Sequence, residues 1–275
     1  MIRPGAELAH RAGRLVPGGL RPVVRRRLVR LRQLGLTPAD AVLVSYPKSG
    51  STWLRFLLGH VLSGHEIDFG SVREALPPIG RHRRAPPLLP GGGRIVRTHE
   101  PLDALAGPPG QPVVYLVRDG RDVAVSYLHY LRRLGDFDGD LAALLPRFLS
   151  GGVDWYGPWH AHARNAATYR GRSPLLTVRY EDLRRDTVGE LARIVAFLGV
   201  EPDTARIQEA AAANSKERMR AKEQASRLLQ SESIDGSSFV RPDGGPSWRQ
   251  LLEPDLILQF EQVAGAALRA FGYLP

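Results

Sequence analysis

The feature that most constrains the fold is a short apolar run that ends in a polar, glycine-containing loop. Residues 42–44 are apolar and typical of a buried strand, and residues 53–58 have a composition typical of a helix. The first N–H groups of a helix lack intrahelical partners and lie at the positive end of the helix dipole. A strand, a tight loop and a helix N-terminus in this order therefore predict a site for a phosphate or sulfate group. The loop residues predicted to hold the anion are Lys48, Ser49, Gly50, Ser51 and Thr52.

The lysine in this loop stands out against the composition of the chain. Of 38 basic residues only three are lysines, namely Lys48, Lys216 and Lys222. A compact ammonium group can contact a single bridging oxygen where the planar fork of an arginine would not fit. The composition therefore favours an anion-binding role for Lys48 over an ordinary strand-to-helix turn.

Length and composition indicate one α/β domain with a sizeable core. The chain has 275 residues, which is enough to bury such a core. It contains no cysteine, which excludes disulfides and cysteine-ligated metals and makes the cytoplasm the expected location. No apolar stretch approaches about 18 residues, and the N-terminus lacks the apolar segment of a signal peptide. Neither export nor membrane spanning is expected.

Positive charge is concentrated near the N-terminus. Of the net charge of +10, residues 1–40 carry +7, from nine arginines and two acidic residues, and the remainder carries +3. This distribution predicts a basic arm over 1–40 and a domain over 41–275, and it argues against a protein that binds nucleic acid over its whole surface. Helical spacing in the arm places four apolar residues on one face, namely Leu20, Val24, Leu28 and Leu31. Such a helix either docks on its own domain, which we favour, or makes peripheral contact with an anionic membrane.

Beyond the arm, apolar strands alternate with helices. The predicted strands that follow the first are 94–99, 112–118 and 175–180. The predicted helices that follow the first are 121–134, 187–199 and 255–270, the second of which opens on a capping box at Thr187 and Glu190. Residues 67–93 are rich in proline and glycine and predict a loop. This alternation predicts the α/β class, with a central, mainly parallel sheet covered by helices on both faces.

Four segments, in order, resemble the nucleotide-binding and catalytic segments of sulfotransferases that use 3′-phosphoadenosine 5′-phosphosulfate (PAPS). Residues 46–53, YPKSGSTW, resemble the loop that binds the 5′-phosphosulfate, and residues 114–127, VYLVRDGRDVAVSY, resemble the strand and helix that bind the 3′-phosphate. Residues 97–102, RTHEPL, resemble the segment with the catalytic histidine, and residues 179–183, RYEDL, match a further segment of the nucleotide site. The resemblance implies a P-loop-like three-layer α/β/α fold.

The resemblance also implies an activity and a set of binding residues. The protein would move a sulfuryl group from PAPS to an acceptor and release adenosine 3′,5′-bisphosphate (PAP), without a metal. Lys48 would contact the bridging or leaving oxygen, and Trp53 would stack on the adenine. Arg118 and Ser126 would bind the 3′-phosphate, and Tyr180 would belong to the nucleotide site.

His99 is the second candidate for a catalytic role beside Lys48. An acceptor hydroxyl must lose its proton as the sulfuryl group arrives, and an imidazole titrates near neutral pH. His99, which the resemblance aligns with the catalytic histidine, is therefore the expected general base. Arg97 stands where many relatives have lysine, and we expect it to help hold the sulfate.

Toward the C-terminus the resemblance is less complete. Residues 215–219 resemble a Ser-Phe-x-x-Met segment near the adenine, which implies roles for Ser215 and Met219, although a lysine replaces the aromatic residue. Residues 239–248 resemble the loop that closes over the 3′-phosphate and retain Arg241, but proline and aspartate replace a lysine and a glycine. The loss of a cation and the gain of a carboxylate predict weaker phosphate binding by this loop.

Two other functions are compatible with parts of the sequence. A P-loop-type kinase would share the sheet and the anion loop, but no Gly-x-x-x-x-Gly-Lys-Ser/Thr motif occurs, since Lys48 precedes Gly50. Asp119 resembles a magnesium-binding aspartate but stands between an arginine and a glycine, which is a poor setting for a metal. The second alternative is a non-catalytic protein that binds membrane or nucleic acid through residues 1–40.

The acceptor is the part of the reaction that the sequence leaves open. Its pocket is expected from residues 67–93 and 136–162, whose composition identifies no substrate. Hydroxyls of a small molecule, a lipid or a glycan all fit, and an amine is an alternative. His160 and His162 lack a third ligand motif, so a pocket or surface role is favoured over a metal site. The arginine-rich composition suggests a bacterial source, and nothing in the sequence indicates the oligomeric state.

Overall fold

The structure is a computed structural model that describes residues 21–171, 173–226, 240 and 247–275. Its strands are β1 (Ala41–Ser45), β2 (Ile95–Thr98), β3 (Val113–Val117) and β4 (Leu175–Arg179). The helices before β4 are α1 (Arg21–Arg32), α2 (Ser51–Ser63), α3 (Ser71–Ala75), α4 (Gly120–Arg133), α5 (Leu141–Ser150) and α6 (Trp159–Ala167). The helices after β4 are α7 (Tyr180–Arg185), α8 (Thr187–Phe197), α9 (Thr204–Ala213), α10 (Lys216–Ala225), α11 (Trp248–Leu251) and α12 (Pro254–Ala270).

The described sheet has four parallel strands in the order β2-β1-β3-β4. Successive side chains of a strand point to opposite faces, so β1 places Val42 and Val44 in one hydrophobic cluster and Ala41 and Leu43 in another. Helices α4, α5, α6 and α12 cover the first face of the sheet, and α2, α8 and α9 cover the second. This arrangement confirms the predicted three-layer α/β/α fold.

The carboxyl ends of all four strands lie along one edge of the sheet, because the strands are parallel. In the register of the sheet, Val44 of β1 pairs with Thr98 of β2, and Val117 of β3 pairs with Arg179 of β4. The chain leaves β1 toward β2 on one side and returns to β3 on the other, and ligands of open α/β sheets bind at such a reversal. The anion loop and the three other segments that carry the resemblance therefore meet at this edge.

Three local predictions differ from the structure. Tyr180 begins α7 instead of ending β4. The side chain of Asp186, and not that of Thr187, caps α8 by accepting a hydrogen bond of 2.9 Å from the N–H of Gly189. The segment 67–93, predicted as a loop, contains α3 and two short 3-10 turns. The first two differences shift an element boundary by one residue, as is common at helix ends.

Helix α1 docks on the domain, as the sequence analysis favours, but through a different face. Val29 is buried, and the side-chain amide of Gln33 donates to the carbonyl of Ala104 at 3.0 Å. Of the four apolar residues predicted on one face, Leu28 and Leu31 are instead exposed to solvent, and the side chains of Leu20 and Val24 lie outside the described part of the chain. Polar anchors decide which face docks, and apolar spacing alone does not reveal them. Among the described helices, none has both the length and the apolar character needed to cross a membrane.

Candidate active site

The anion loop between β1 and α2 has an unusual backbone. Lys48 has a φ of 68°, and it is the only described residue other than glycine with a positive φ. Gly50, the N-cap of α2, has a φ of 96°, and no side chain caps the helix. A left-handed lysine costs of order 1–3 kcal/mol, and such strain is concentrated at ligand sites. The loop thus leaves the first N–H groups of α2 available to an anion.

The ring of Tyr180 covers the loop and explains why residue 50 is a glycine. A Cβ added at Gly50 would lie 2.6 Å from Cε2 of Tyr180 and closer still to Cδ2. The Tyr180 ring also meets the Trp53 ring edge-on, at 6.0 Å between centroids. The guanidinium of Arg118 lies 4.6 Å from the centroid of the same ring. Tyr180 therefore gathers three of the predicted nucleotide-binding residues around one aromatic ring.

Arg118 follows β3 and reaches the anion loop directly. Its Nη1 donates to the carbonyl of Lys48 at 3.4 Å. Its Nε and the hydroxyl of Ser49 are buried, and neither has a hydrogen-bond partner among the residues that the structure describes. Buried polar groups are nearly always paired, so two unpaired groups beside one loop fit a site that a polar ligand completes. The donor set suits an anion, because it contains an arginine, a lysine, a hydroxyl and free helix N–H groups.

The carboxylate of Asp119 is engaged by protein groups. It accepts a hydrogen bond from the N–H of Arg121 at 3.0 Å and pairs with the Arg121 guanidinium at 2.8 Å. Glu181, which the sequence analysis did not assign, accepts a hydrogen bond from the N–H of Asp119 at 3.0 Å. It thereby ties α7 to the start of α4. Because the Asp119 carboxylate is paired with Arg121, the kinase alternative, which needs this carboxylate to bind magnesium, loses support.

The other residues predicted to bind the sulfuryl donor, PAPS, lie on α2 and α4; together with the anion loop they are called the donor side. Ser51 and Thr52 are half-buried in the first turn of α2, and Ser126 is half-buried in α4, on the helix that follows Arg118. The ammonium of Lys48 lies 4.0 Å from the centroid of the Tyr130 ring, which also belongs to α4. These positions agree with a single anion-binding region between α2 and α4.

Two of the residues predicted near the adenine, Ser215 and Met219, lie at the start of α10, and the third, Trp53, lies on α2. The indole N–H of Trp53 donates to the carbonyl of Asn214 at 2.8 Å and so ties α2 to this segment. Ser215 caps α10, and Met219 is buried in a cluster with Phe56. Both are close to Trp53 through these contacts. Arg241 and most of the loop 239–248 lie outside the described residues.

The orientation of His99 is fixed by the end of β1. Its Nδ1 lies 2.7 Å from the carbonyl oxygen of Ser45, so Nδ1 carries the proton and donates it. Nε2 is then the acceptor nitrogen, and Nη1 of Arg97 donates to it at 3.4 Å. Burial, together with the positive charge of Arg97, lowers the pKa of His99 to about 3. The imidazole is therefore neutral throughout the physiological pH range and can accept a proton at Nε2.

His162 holds the backbone carbonyl of His99 in place, a role that the sequence analysis did not predict. The hydroxyl of Tyr115 donates to Nδ1 of His162 at 3.0 Å, and Nε2 of His162 donates to the carbonyl of His99 at 3.2 Å. His162 is only 2% exposed, so it is not a surface residue, and burial lowers its pKa to about 4. Nothing in the sequence near His162 indicates this role, because Tyr115 lies on β3. No cluster of three potential metal ligands occurs within the described residues.

A cavity of about 70 Å³ lies beside His99 and Arg97. Its walls include Tyr156, whose ring centroid is 5.5 Å from that of His99, and the proline-rich segment at Pro78 and Ile79. Part of the expected pocket segments, 67–93 and 136–162, thus lines this space. Helix α1 supplies a wall that the sequence analysis did not foresee, formed by Val29, Arg32 and Gln33.

An ion pair clamps α1 over this cavity. Nη2 of Arg25 lies 2.7 Å from the carboxylate of Glu100, the residue after His99. The same guanidinium lies 5.6 Å from the centroid of the Trp155 ring. Because the Arg25 side chain is 30% exposed and that of Glu100 is 10% exposed, water partly screens the pair, and its contribution to stability should be up to about 1 kcal/mol.

Comparison with known proteins agrees with this geometry. The family profile of the sulfotransferase domain matches residues 38–272. Sulfotransferase 1B1 of Mus musculus is 30% identical over 184 residues, which cover 62% of this chain and 61% of the mouse protein. The chain thus spans about three fifths of that relative. Sulfotransferase 1C2 of Rattus norvegicus is 28% identical over 237 residues, or 77% of each chain.

Solved structures share the fold at lower identity. A crystal structure of retinol dehydratase in complex with androsterone and the inactive cofactor PAP matches with a TM-score of 0.68 and 23% identity, over 86% of this chain and 82% of that chain. Mouse sulfotransferase SULT7A1 complexed with PAP matches with a TM-score of 0.65 and 23% identity, over 87% of both chains. With a family profile that runs from just before β1 to the end of α12, the chain belongs to the sulfotransferase domain family.

Proposed function

We propose that the protein is a PAPS-dependent sulfotransferase that sulfates a hydroxyl group. The observation that carries this proposal is the meeting of an uncapped helix N-terminus, Lys48 and Arg118 at the same sheet edge as His99. The named relatives are sulfotransferases, and the two matching crystal structures contain PAP. The unpaired groups of Ser49 and Arg118 fit the phosphates of such a nucleotide.

The donor side would bind the nucleotide through its anionic groups. The N–H groups and hydroxyls of Ser51 and Thr52, with Lys48, would hold the 5′-phosphosulfate and stabilise the charge that develops on the leaving phosphate. Arg118 and Ser126 would hold the 3′-phosphate, and the arginine can grip two oxygens at once. The aromatic rings of Trp53 and Tyr180, with Ser215 and Met219, would enclose the remainder of the nucleotide, and Arg241 would belong to the loop that closes over the 3′-phosphate.

His99 would act as the general base at Nε2. As the acceptor oxygen forms its bond to sulfur, the bond between sulfur and the bridging phosphate oxygen breaks, and the hydroxyl proton passes to Nε2. A pKa of about 3 makes a weak base, but the negative charges of the donor, placed near Arg97, would raise it. Ser45 keeps the lone pair in place, since its carbonyl holds Nδ1–H.

The cavity beside His99 is the proposed acceptor site. It combines polar walls at Arg97 and Glu100 with apolar walls at Val29 and Ile79, which suits a hydroxyl on a partly apolar molecule. Small molecules, lipids and glycans are the candidate acceptors. The cytoplasmic location and the bacterial source remain predictions from the sequence.

The direct test is transfer of labelled sulfate from PAPS to a panel of alcohols, phenols, lipids and glycans, without added metal. We expect a sulfated product together with stoichiometric PAP. Lys48→Ala should lower turnover by at least about a hundredfold, the usual cost of a lost donor at a developing anion. If the protein instead transferred a phosphoryl group from ATP in the presence of magnesium, and no sulfuryl group from PAPS, the kinase would replace this proposal.

A further inference from the structure

The outer face of α1 exposes a row of leucines. Leu28, Leu31 and Leu34 are 48%, 60% and 56% exposed, and they are three of the six exposed large apolar side chains in the described part of the chain. Leu28 and Leu31 lie three residues apart on one side of α1, and Leu34 lies in the turn that directly follows the helix. The opposite side of α1 is anchored to the domain by Val29 and Gln33. The leucine row is therefore held outward by contacts that do not involve it.

Exposed arginines lie beside this row. Arg27, Arg30 and Arg32 of α1 are exposed beside the leucines. A shallow groove that Leu28, Leu31 and Leu34 share with Arg83 joins α1 to the 3-10 turn at His82–Arg84. Residues 21–39 and 77–94, from which the groove residues come, contain no aspartate or glutamate, and the adjacent Asp40 is buried and pairs with Arg94. The surface thus combines apolar side chains with a basic rim.

We propose that the outer face of α1 docks on an anionic membrane surface, with the leucines in the headgroup–acyl boundary and the arginines on lipid phosphates. A short amphipathic helix with leucines on one side and arginines around them is the form in which proteins lie in a membrane interface. A nucleic acid would use the arginines but would leave the leucine row in water. An anionic bilayer is the partner that uses both features.

This docking would set the proposed acceptor cavity close to the membrane. Residues on the inner side of α1, Val29 and Gln33, line the cavity beside His99, so one helix separates that cavity from the outer face. An acceptor from the bilayer would then have a short path to His99. The docking itself does not depend on the proposed sulfotransferase activity, because it uses none of the donor-side residues.

The test is sedimentation of the full chain with vesicles, in the absence of nucleotide and acceptor. One vesicle contains phosphatidylglycerol and phosphatidylcholine, and the other contains phosphatidylcholine alone. We expect at least tenfold stronger partitioning onto the anionic vesicle and a steep loss of binding with added salt. Equal partitioning onto the two vesicles, or none onto either, would overturn the proposal.

Matched variants locate the contact. Leu28→Ser/Leu31→Ser/Leu34→Ser should weaken anionic-vesicle binding at least tenfold. The control Leu258→Ser/Val263→Ser removes similarly exposed apolar side chains from α12, and we expect it to bind as the wild type does. Equal losses in both variants would overturn the proposal. Circular dichroism and thermal melts verify that the variants remain folded.

Two further measurements test how much positive charge contributes to vesicle binding, and whether α1 docks on a second copy of the chain instead. Arg27→Gln/Arg30→Gln should weaken vesicle binding by about fivefold for each charge, whereas Arg184→Gln/Arg269→Gln, with the same change in net charge, should have less effect. Equal effects of the two pairs would contradict docking through α1.

Sedimentation velocity over a range of concentrations tests whether a second copy of the chain, and not a membrane, covers the outer face of α1. A dimer that is lost on substitution of the three leucines would replace the membrane with that copy.

Discussion

The donor side and the acceptor side of the site are built in different ways. The donor side uses residues that directly follow strands, and its contacts, such as Arg118 on the Lys48 carbonyl and Tyr180 on Gly50, lie at one sheet edge. The acceptor side depends on α1, which Arg25 and Gln33 fasten to segments more than 70 residues away. In the proposed assignment, sheet topology positions the residues that would bind the nucleotide, whereas the acceptor cavity depends on how a separate helix docks.

Substitution of His99 should give the largest difference between the effect on turnover and the effect on PAP binding. His99→Ala should lower turnover by at least about a hundredfold, because the acceptor proton loses its base, while PAP binding stays near the wild-type value. Steady-state kinetics and calorimetry measure the two effects. His160→Ala is the matched control, since this half-buried histidine lies on α6 and should leave both values unchanged. Loss of PAP binding in His99→Ala would show that the two sides are not separable.

Gly50 tests the donor side through its contact with Tyr180. Gly50→Ala adds a Cβ against the Tyr180 ring at a positive φ, and we expect about 2–3 kcal/mol of destabilisation and at least tenfold weaker PAP binding. Gly199→Ala has a similar φ of +77° but no atom within 4 Å of the new Cβ. It should cost only about 1 kcal/mol and leave PAP binding intact. Urea unfolding and calorimetry measure both; equal costs at the two glycines would remove Tyr180 from the explanation.

His162, which holds the backbone of His99, should make the free energy of unfolding depend on pH. Because the pKa of His162 is about 4 in the folded protein and about 6.5 when unfolded, the unfolded chain takes up the proton first as pH falls. The contribution is present above about pH 6.5 and is lost toward pH 4, so moving from pH 8 to pH 5 should cost about 2 kcal/mol from this residue. His162→Gln should remove that part of the loss in urea unfolding. An unchanged pH dependence in the variant would argue against a buried neutral His162.

The smallest effect is expected at the clamp over the acceptor cavity. Arg25→Ala breaks the ion pair with Glu100, and a partly exposed pair of this kind is worth up to about 1 kcal/mol, or about fivefold. We expect the KM for the acceptor to rise by about that factor while PAP binding stays unchanged. Arg27→Ala, on the exposed side of α1, is the control for soluble acceptors. A change in PAP affinity in Arg25→Ala would place α1 on the donor side as well.

Most of the donor side could be predicted from the sequence, because its geometry is local. A strand, a loop with a glycine and an uncapped helix are adjacent in the chain, and strand ends of a parallel sheet must meet. The contact of Tyr180 with Gly50 could not be predicted, since it depends on how α7 packs. His162 was missed because its partner, Tyr115, lies 47 residues away. The docked face of α1 was predicted wrongly because its anchors, Arg25 and Gln33, are polar.

The central claim is that the loop after β1 binds a 3′-phosphorylated adenine nucleotide together with Arg118. The most direct test is calorimetric titration without metal, with PAP and ATP as separate ligands, for the wild type and Arg118→Ala. We predict that the wild type binds PAP at least tenfold more tightly than ATP and that Arg118→Ala loses this preference. Equal affinities for PAP and ATP in the wild type, or an unchanged preference in the variant, would contradict the claim.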